Sequence, residues 1–129
     1  MIAARRRLPA TLIVNPNAGR LSPPLHEGVI AALRERFDLE AFSTTGRDSG
    51  IGLAANAAER GVPLIIAFGG DGHVNEVANG VAGTDSALGV IPGGTMNVFA
   101  RALELPMDPM RAVDRLEQTA GQKPRTVPL

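Results

Sequence analysis

Three short clusters could do chemistry in this chain, and each directly follows an apolar run: Asn15-Pro16-Asn17-Ala18-Gly19, Gly69-Gly70-Asp71-Gly72-His73, and Pro92-Gly93-Gly94-Thr95. Glycine lets the backbone take positive φ and approach a ligand closely. A turn that leads into a helix also aims free N–H groups at an anion. Phosphate is the natural guest of such turns. Any one of these loops is equally well read as strand-to-helix geometry alone; three on one edge point to a shared ligand.

The carboxylates refine this expectation. Asp71 lies inside the second turn, where its charge repels a bare phosphate but suits a divalent cation placed between the two. Mg²⁺ commonly takes only one or two carboxylates and completes its shell with phosphates and water. The competing reading of Asp71 is a cap for the helix that follows. Glu76 either orients the loop or is an ordinary first-turn acid favoured by the helix dipole. Asn75 either satisfies loop backbone groups or touches phosphate. His73 lies beside these residues, but a lone histidine is more often a satisfied residue than a ligand, so it carries no catalytic role. Two other phosphate motifs are excluded. The chain has no G-x-x-x-x-G-K-[ST], since its one lysine is Lys123, and Gly70 to Asn75 approaches G-x-G-x-x-G without its last glycine.

These loops need a scaffold, and the sequence describes one. Thr11 to Val14, Leu39 to Phe42, Leu64 to Phe68 and Leu88 to Ile91 are short apolar runs ending in turn residues. The segments between them have helical periodicity. Leu25, Val29, Ala32, Leu33 and Phe37 form one stripe, Ile51, Ala54, Ala55 and Ala58 a small-residue stripe, and Met110, Val113 and Leu116 a third in a helix started by Asp108-Pro109. Strands without polar alternation are buried on both faces. The expected fold is α/β: a three-layer, Rossmann-like parallel sheet with helices on both faces. Ligands bind such sheets beyond the carboxyl ends of the strands, where all three loops lie.

Composition sets outer bounds. The chain has 129 residues, no Cys, Trp or Tyr, and a formal net charge of zero. One domain is expected, with no thiol chemistry and no zinc ribbon. Neither a basic footprint nor a set of stacking aromatics is present, which argues against nucleic acid. No apolar run is long enough for a signal peptide or a membrane span. A cytoplasmic protein is the expectation.

The blocks "VNPNAG", "GGDGHVNEVANG" and "GVIPGGTMNVFARAL" together resemble the signature blocks of the diacylglycerol kinase catalytic domain, a family that includes bacterial lipid kinases and sphingosine and ceramide kinases. The resemblance implies a domain, residues 1–129, that binds ATP and Mg²⁺ and delivers the γ-phosphoryl group to a lipid hydroxyl of the diacylglycerol or sphingoid type. By motif position, Asn15, Pro16, Asn17, Ala18 and Gly19 line the nucleotide site. Gly69, Gly70, Asp71, Gly72, His73, Asn75 and Glu76 surround the phosphates, with Asp71 meeting Mg²⁺ directly or through water. Gly94 and Thr95 complete the pocket. A hydroxyl after the second strand belongs there too, Thr44 fitting best and Thr45 next. Two positions depart from the pattern: His73 stands where the family has Thr, and Val98 where it has Asp. A Met96, Phe99, Leu103 stripe still supports a helix after the fourth strand.

Family members carry a second, β-rich domain that binds lipid and supplies the catalytic acid. Residues 124–129 resemble the start of the crossing into it, so the chain reads as truncated, with no catalytic residue of its own and no lipid kinase activity alone. Its uncovered docking face favours a homodimer, and its lipid acceptor implies peripheral contact with a membrane. Two alternatives remain: an NAD kinase-like phosphotransferase, which shares the GGDG and NE elements, and a non-catalytic nucleotide-binding or interaction module.

Overall fold

The four apolar runs become four strands of one parallel sheet: β1 (Pro9–Val14), β2 (Asp38–Ser43), β3 (Leu64–Gly69) and β4 (Ala87–Pro92). A computed structural model of the chain describes residues 7–17, 22–94 and 96–120. Strand order is β2-β1-β3-β4. The central strands β1 and β3 are buried on both faces, as uninterrupted apolar runs require, whereas β2 lies at an edge and is largely half-exposed.

Among the described residues five helices cover the sheet: α1 (Pro23–Arg36), α2 (Ser49–Glu59), α3 (Asp71–Val81), α4 (Val98–Ala102) and α5 (Pro109–Thr119). Right-handed crossovers assign each helix to a face. Running from β1 out to β2 sets α1 on one side, where α5 joins it. Returning past β1 to β3 and on to β4 sets α2 and α3 on the other, with α4. Strand residues alternate accordingly. Leu12, Val14, Ile66, Phe68 and Ile91 pack with Val29, Leu33, Phe37 and Val113 on the α1/α5 face. Ile13, Ile65, Ala67 and Val90 pack with Ala54, Ala57, Val74, Val77 and Ala100 on the other. Thr11 is the polar exception in the strand core; its hydroxyl donates to Glu40 Oε1 at 2.7 Å, and Arg60 also donates to that oxygen at 2.6 Å. The Arg60 hydrogen bond, then that from Thr11, holds the Glu40 carboxyl below the usual carboxylate range.

Each helix start has a local or a remote cause. Ser22 caps α1 through its side chain, accepting from the Leu25 amide, with proline in the first turn. Asp108 does the same for α5 through the Arg111 amide, again beside a proline. The N-caps of α2 and α4 are Asp48 and Asn97, both left-handed (φ 66° and 51°), and neither uses its side chain as a cap.

Three details differ from the periodicity. In α2 the buried positions are Gly50, Ala54 and Ala57, while Ala55 faces solvent, because α2 turns its smallest side chains toward α3. Met96 lies outside α4 and is 67% exposed, so the stripe there reduces to Phe99 and Leu103. Met110 is exposed near the start of α5, where Ala112 and Val113 are buried instead. Residues 124–129, read as a crossing into another domain, lie outside the described residues.

Candidate functional site

The strand order reverses between β1 and β3: the chain leaves β1 toward β2 and returns across it to β3. Connections leaving these two strands diverge to opposite faces, the arrangement that in open parallel sheets puts the ligand crevice at the carboxyl ends. The β1 loop and the β3 loop flank that crevice.

Backbone bonds tie the strand ends together. The Asn15 amide donates to the Phe68 carbonyl at 3.1 Å, the Thr44 amide to the Val14 carbonyl at 2.8 Å, and the Gly93 amide to the Gly69 carbonyl at 2.8 Å. Asn15 also accepts the Asn17 amide on its side-chain oxygen at 3.0 Å, shaping the first loop. Pro16 and Asn17 are exposed; Ala18 and Gly19 lie outside the described residues, as does Thr95. The Thr44 hydroxyl sits 3.4 Å from the Val14 carbonyl and is half-buried, while Thr45 is exposed.

The glycines of the β3 loop serve close approach rather than unusual backbone angles. None of Gly69, Gly70 and Gly72 has positive φ. A Cβ on Gly69 would fall 2.7 Å from the His73 ring, and one on Gly94 would fall 2.6 Å from the Gly70 Cα. These two loops pack backbone to backbone. Gly72 is different: a Cβ there would meet nothing, and the residue is exposed. It stands in the first turn of α3, whose Asp71, Gly72 and His73 amides have no acceptor within the helix.

Asp71 begins α3, but the N-cap is Gly70. The Asp71 carboxylate reaches across instead, accepting the Phe99 amide of α4 at 3.1 Å through Oδ1. Capping was the right chemistry on the wrong helix. Oδ1 is thereby engaged, and Oδ2 remains as the oxygen available to a cation. Among the described residues no group of three or more His, Cys, Asp or Glu could hold a metal. The donor set therefore fits an ion that brings phosphates and water as its main ligands, and does not fit a protein-caged metal. Glu76 likewise reaches to a neighbour, its Oε1 accepting the Gly50 amide of α2 at 3.2 Å. Asn75 and Gly72 face solvent along the same helix end.

His73, counted with the nucleotide-binding residues from its place in the motif, has its imidazole turned into the protein. It is 5% exposed, and Nε2 lies 2.7 Å from the Ile13 carbonyl oxygen, to which it donates. Burial pushes its pKa down, against the Ile13 carbonyl and Glu76, which pull it up. Its backbone amide alone stays at the helix end. Asn97 was not singled out by the sequence reading. Its buried amide accepts the Gly94 N–H and donates to the Gly94 carbonyl, both at 3.0 Å, fixing the fourth loop. Asparagine tolerates the left-handed region, so an Asn two residues after a Gly-Gly-Thr turn was the available signal.

Residues 9–127 match the family model described as the diacylglycerol kinase catalytic domain. The diacylglycerol kinase of Bacillus subtilis is 42% identical over 110 residues, covering 81% of this chain and 36% of that relative. That of Staphylococcus haemolyticus is 40% identical over 109 residues, covering 81% and 33%. The crystal structure of a diacylglycerol kinase from Bacillus anthracis superposes with a TM-score of 0.79 at 32% identity, covering 89% of this chain and 43% of the other. The chain thus spans about a third of the length of the curated relatives it matches. Matched over nearly its whole length, with the same fold at a third of residues identical, the chain belongs to the diacylglycerol kinase catalytic domain family.

Proposed function

We propose that this chain is the nucleotide-binding part of a lipid kinase and holds ATP with Mg²⁺ at the β1/β3 crevice. The observation that carries the reading is Gly72: among the described β3-loop glycines it alone has open space where a Cβ would stand, and it lies among the three first-turn amides of α3 that have no acceptor within the helix. A phosphate seated there accepts those amides and gains from the helix dipole. Asp71 presents its second oxygen to the cation, which supplies charge neutralisation between the carboxylate and the phosphates. Asn15, Asn17, Thr44 and Asn75 edge the crevice and are the polar groups available to the rest of the nucleotide, with Ala18, Gly19 and Thr95 expected there by motif position.

The acceptor is a lipid hydroxyl, of the diacylglycerol or sphingoid type, as the names of the relatives suggest for the first. Phosphoryl transfer is mainly positioning and electrostatics, yet the hydroxyl proton needs an acceptor. At the crevice the acids Asp71 and Glu76 each hold a backbone amide. The base is therefore assigned outside the described residues, and the chain by itself binds nucleotide without phosphorylating lipid. Such a protein works in the cytoplasm and meets its acceptor at the membrane surface; among the described residues no helix is long and apolar enough to cross a membrane.

A second reading, a non-catalytic nucleotide-binding module, is favoured by Val98, which is 59% exposed where the family pattern has an acid. Calorimetric titration of the chain with MgATP tests the first claim: saturable, Mg²⁺-dependent binding is expected, and its absence would defeat it. Labelled ATP with diacylglycerol micelles should give no lipid product from the chain alone.

A further inference from the structure

The least expected contact in the molecule is the one made by Glu76. α2 starts with Asp48 in the left-handed region, with no side-chain cap of its own and no acid in its first turn. Its Gly50 amide, the second of the helix, is instead accepted by Glu76 Oε1, 26 positions along the chain. The carboxylate thus supplies from α3 both the missing cap and the missing negative charge of the α2 start. The packing leaves little play. A Cβ on Gly50 would come within 3.2 Å of Glu76 Cβ and Oε1, and one on Gly80 would fall 2.5 Å from the Ile51 carbonyl oxygen. Two glycines, one on each helix, therefore let α2 and α3 approach at the level of this bond.

The segment held in this way includes the β2–α2 loop. The Thr45 amide donates to Ser49 Oγ at 3.1 Å, and the Ser49 amide to the Gly46 carbonyl at 3.3 Å, so residues 45–49 are folded onto the first turn of α2. Thr44 is joined to this turn on one side and to the β1 end on the other. We propose that Glu76 is a positioning residue: by holding the Gly50 amide it fixes the β2–α2 loop, and Thr44 with it, relative to the phosphate-accepting end of α3. It sets nucleotide affinity without touching nucleotide. This role rests on the nucleotide reading above and adds to it a dependence on the distance between two loops.

The test combines residue-resolved amide exchange with calorimetric titration of MgATP into the wild-type chain and three variants. Glu76→Ala is expected to speed exchange at Gly50 and Thr45 and to weaken MgATP roughly fivefold, the scale of one lost charged hydrogen bond only partly transmitted to the ligand. Glu76→Gln keeps an acceptor oxygen and should bind within about twofold of wild type. Gly50→Ala displaces the carboxylate from the opposite side and should weaken MgATP although alanine favours the helix; with Glu76→Gln it carries the test if Glu76→Ala does not fold. Wild-type binding with Glu76→Ala or Gly50→Ala equally tight would overturn the positioning role alone. Glu76→Gln as weak as Glu76→Ala would overturn it as well, because charge rather than the tether would then matter. No MgATP binding by the wild-type chain would overturn the nucleotide reading and this role together.

Discussion

On the α1/α5 face each helix carries its own beginning in its own sequence, Ser22 with Pro23 and Asp108 with Pro109. On the opposite face α2 and α4 begin at left-handed residues without side-chain caps, and α3 lends each of them a carboxylate: Glu76 to Gly50 and Asp71 to Phe99. The two faces also differ in filling. Leucine, phenylalanine and isoleucine dominate the first, while Ala54, Ala57 and the close approach at Gly80 bring the second together. One face is assembled from self-sufficient helices and the other from interdependent ones. The interdependent face also carries the helix whose free amides meet the crevice, so there the positions of the loops depend on one another.

Breaking this contrast at Asp71 should have the largest effect. Asp71→Ala removes the α4 cap and the oxygen offered to Mg²⁺, and should cost about 1–2 kcal/mol of stability together with at least roughly tenfold in MgATP affinity. Asp71→Asn separates the two roles. It retains an acceptor for the Phe99 amide and should recover most of the stability seen in thermal melts, while Mg²⁺-dependent affinity stays low.

On the other face, Asp108→Ala should lower stability by about 1 kcal/mol, as loss of an N-cap does. Nucleotide affinity should not change, because α5 packs with α1 on the face of the sheet opposite α3. A matching fall in affinity would show that the two faces are not separable in this way.

The smallest expected effect is a pH slope from His73. Its folded pKa lies below the ordinary 6.5, so the unfolded chain takes up a proton first as pH falls. The stability it contributes is fully present above about 6.5 and declines as the pH drops toward the folded value. Melting temperatures measured from pH 7.5 to 5.5 should fall more steeply for the wild type than for His73→Thr. Equal slopes would mean that the imidazole is not held neutral at the Ile13 carbonyl.

The same contrast accounts for what could be read from the sequence. The four strands, the parallel sheet and the starts of α1 and α5 depend on neighbours in sequence, and apolar runs with Ser, Asp and Pro announce them. The contacts of Asp71 and Glu76 join residues 28 and 26 positions apart, so local pattern shows a carboxylate near a helix start without saying whose. His73 illustrates the same limit, its direction being set by β1, 60 positions away. Ala55 and Ala57 were confused because a run of alanines gives periodicity no contrast. The three loops read as a group in the sequence; among their described glycines Gly69, Gly70, Gly93 and Gly94 approach one another or His73, and only Gly72 would present a Cβ to open space.

That residue offers the most direct test. Gly72→Ala adds one methyl group pointing into open space within a helical first turn, so it should hold or raise stability, by up to about 1 kcal/mol on helix propensity. If phosphate is bound where the account puts it, the same methyl should weaken MgATP at least roughly tenfold by excluding close backbone approach. Paired melting curves and MgATP titrations of the wild type and Gly72→Ala measure both. A variant that is as stable as wild type and binds poorly is the predicted result; one that binds MgATP as tightly as wild type would contradict the account.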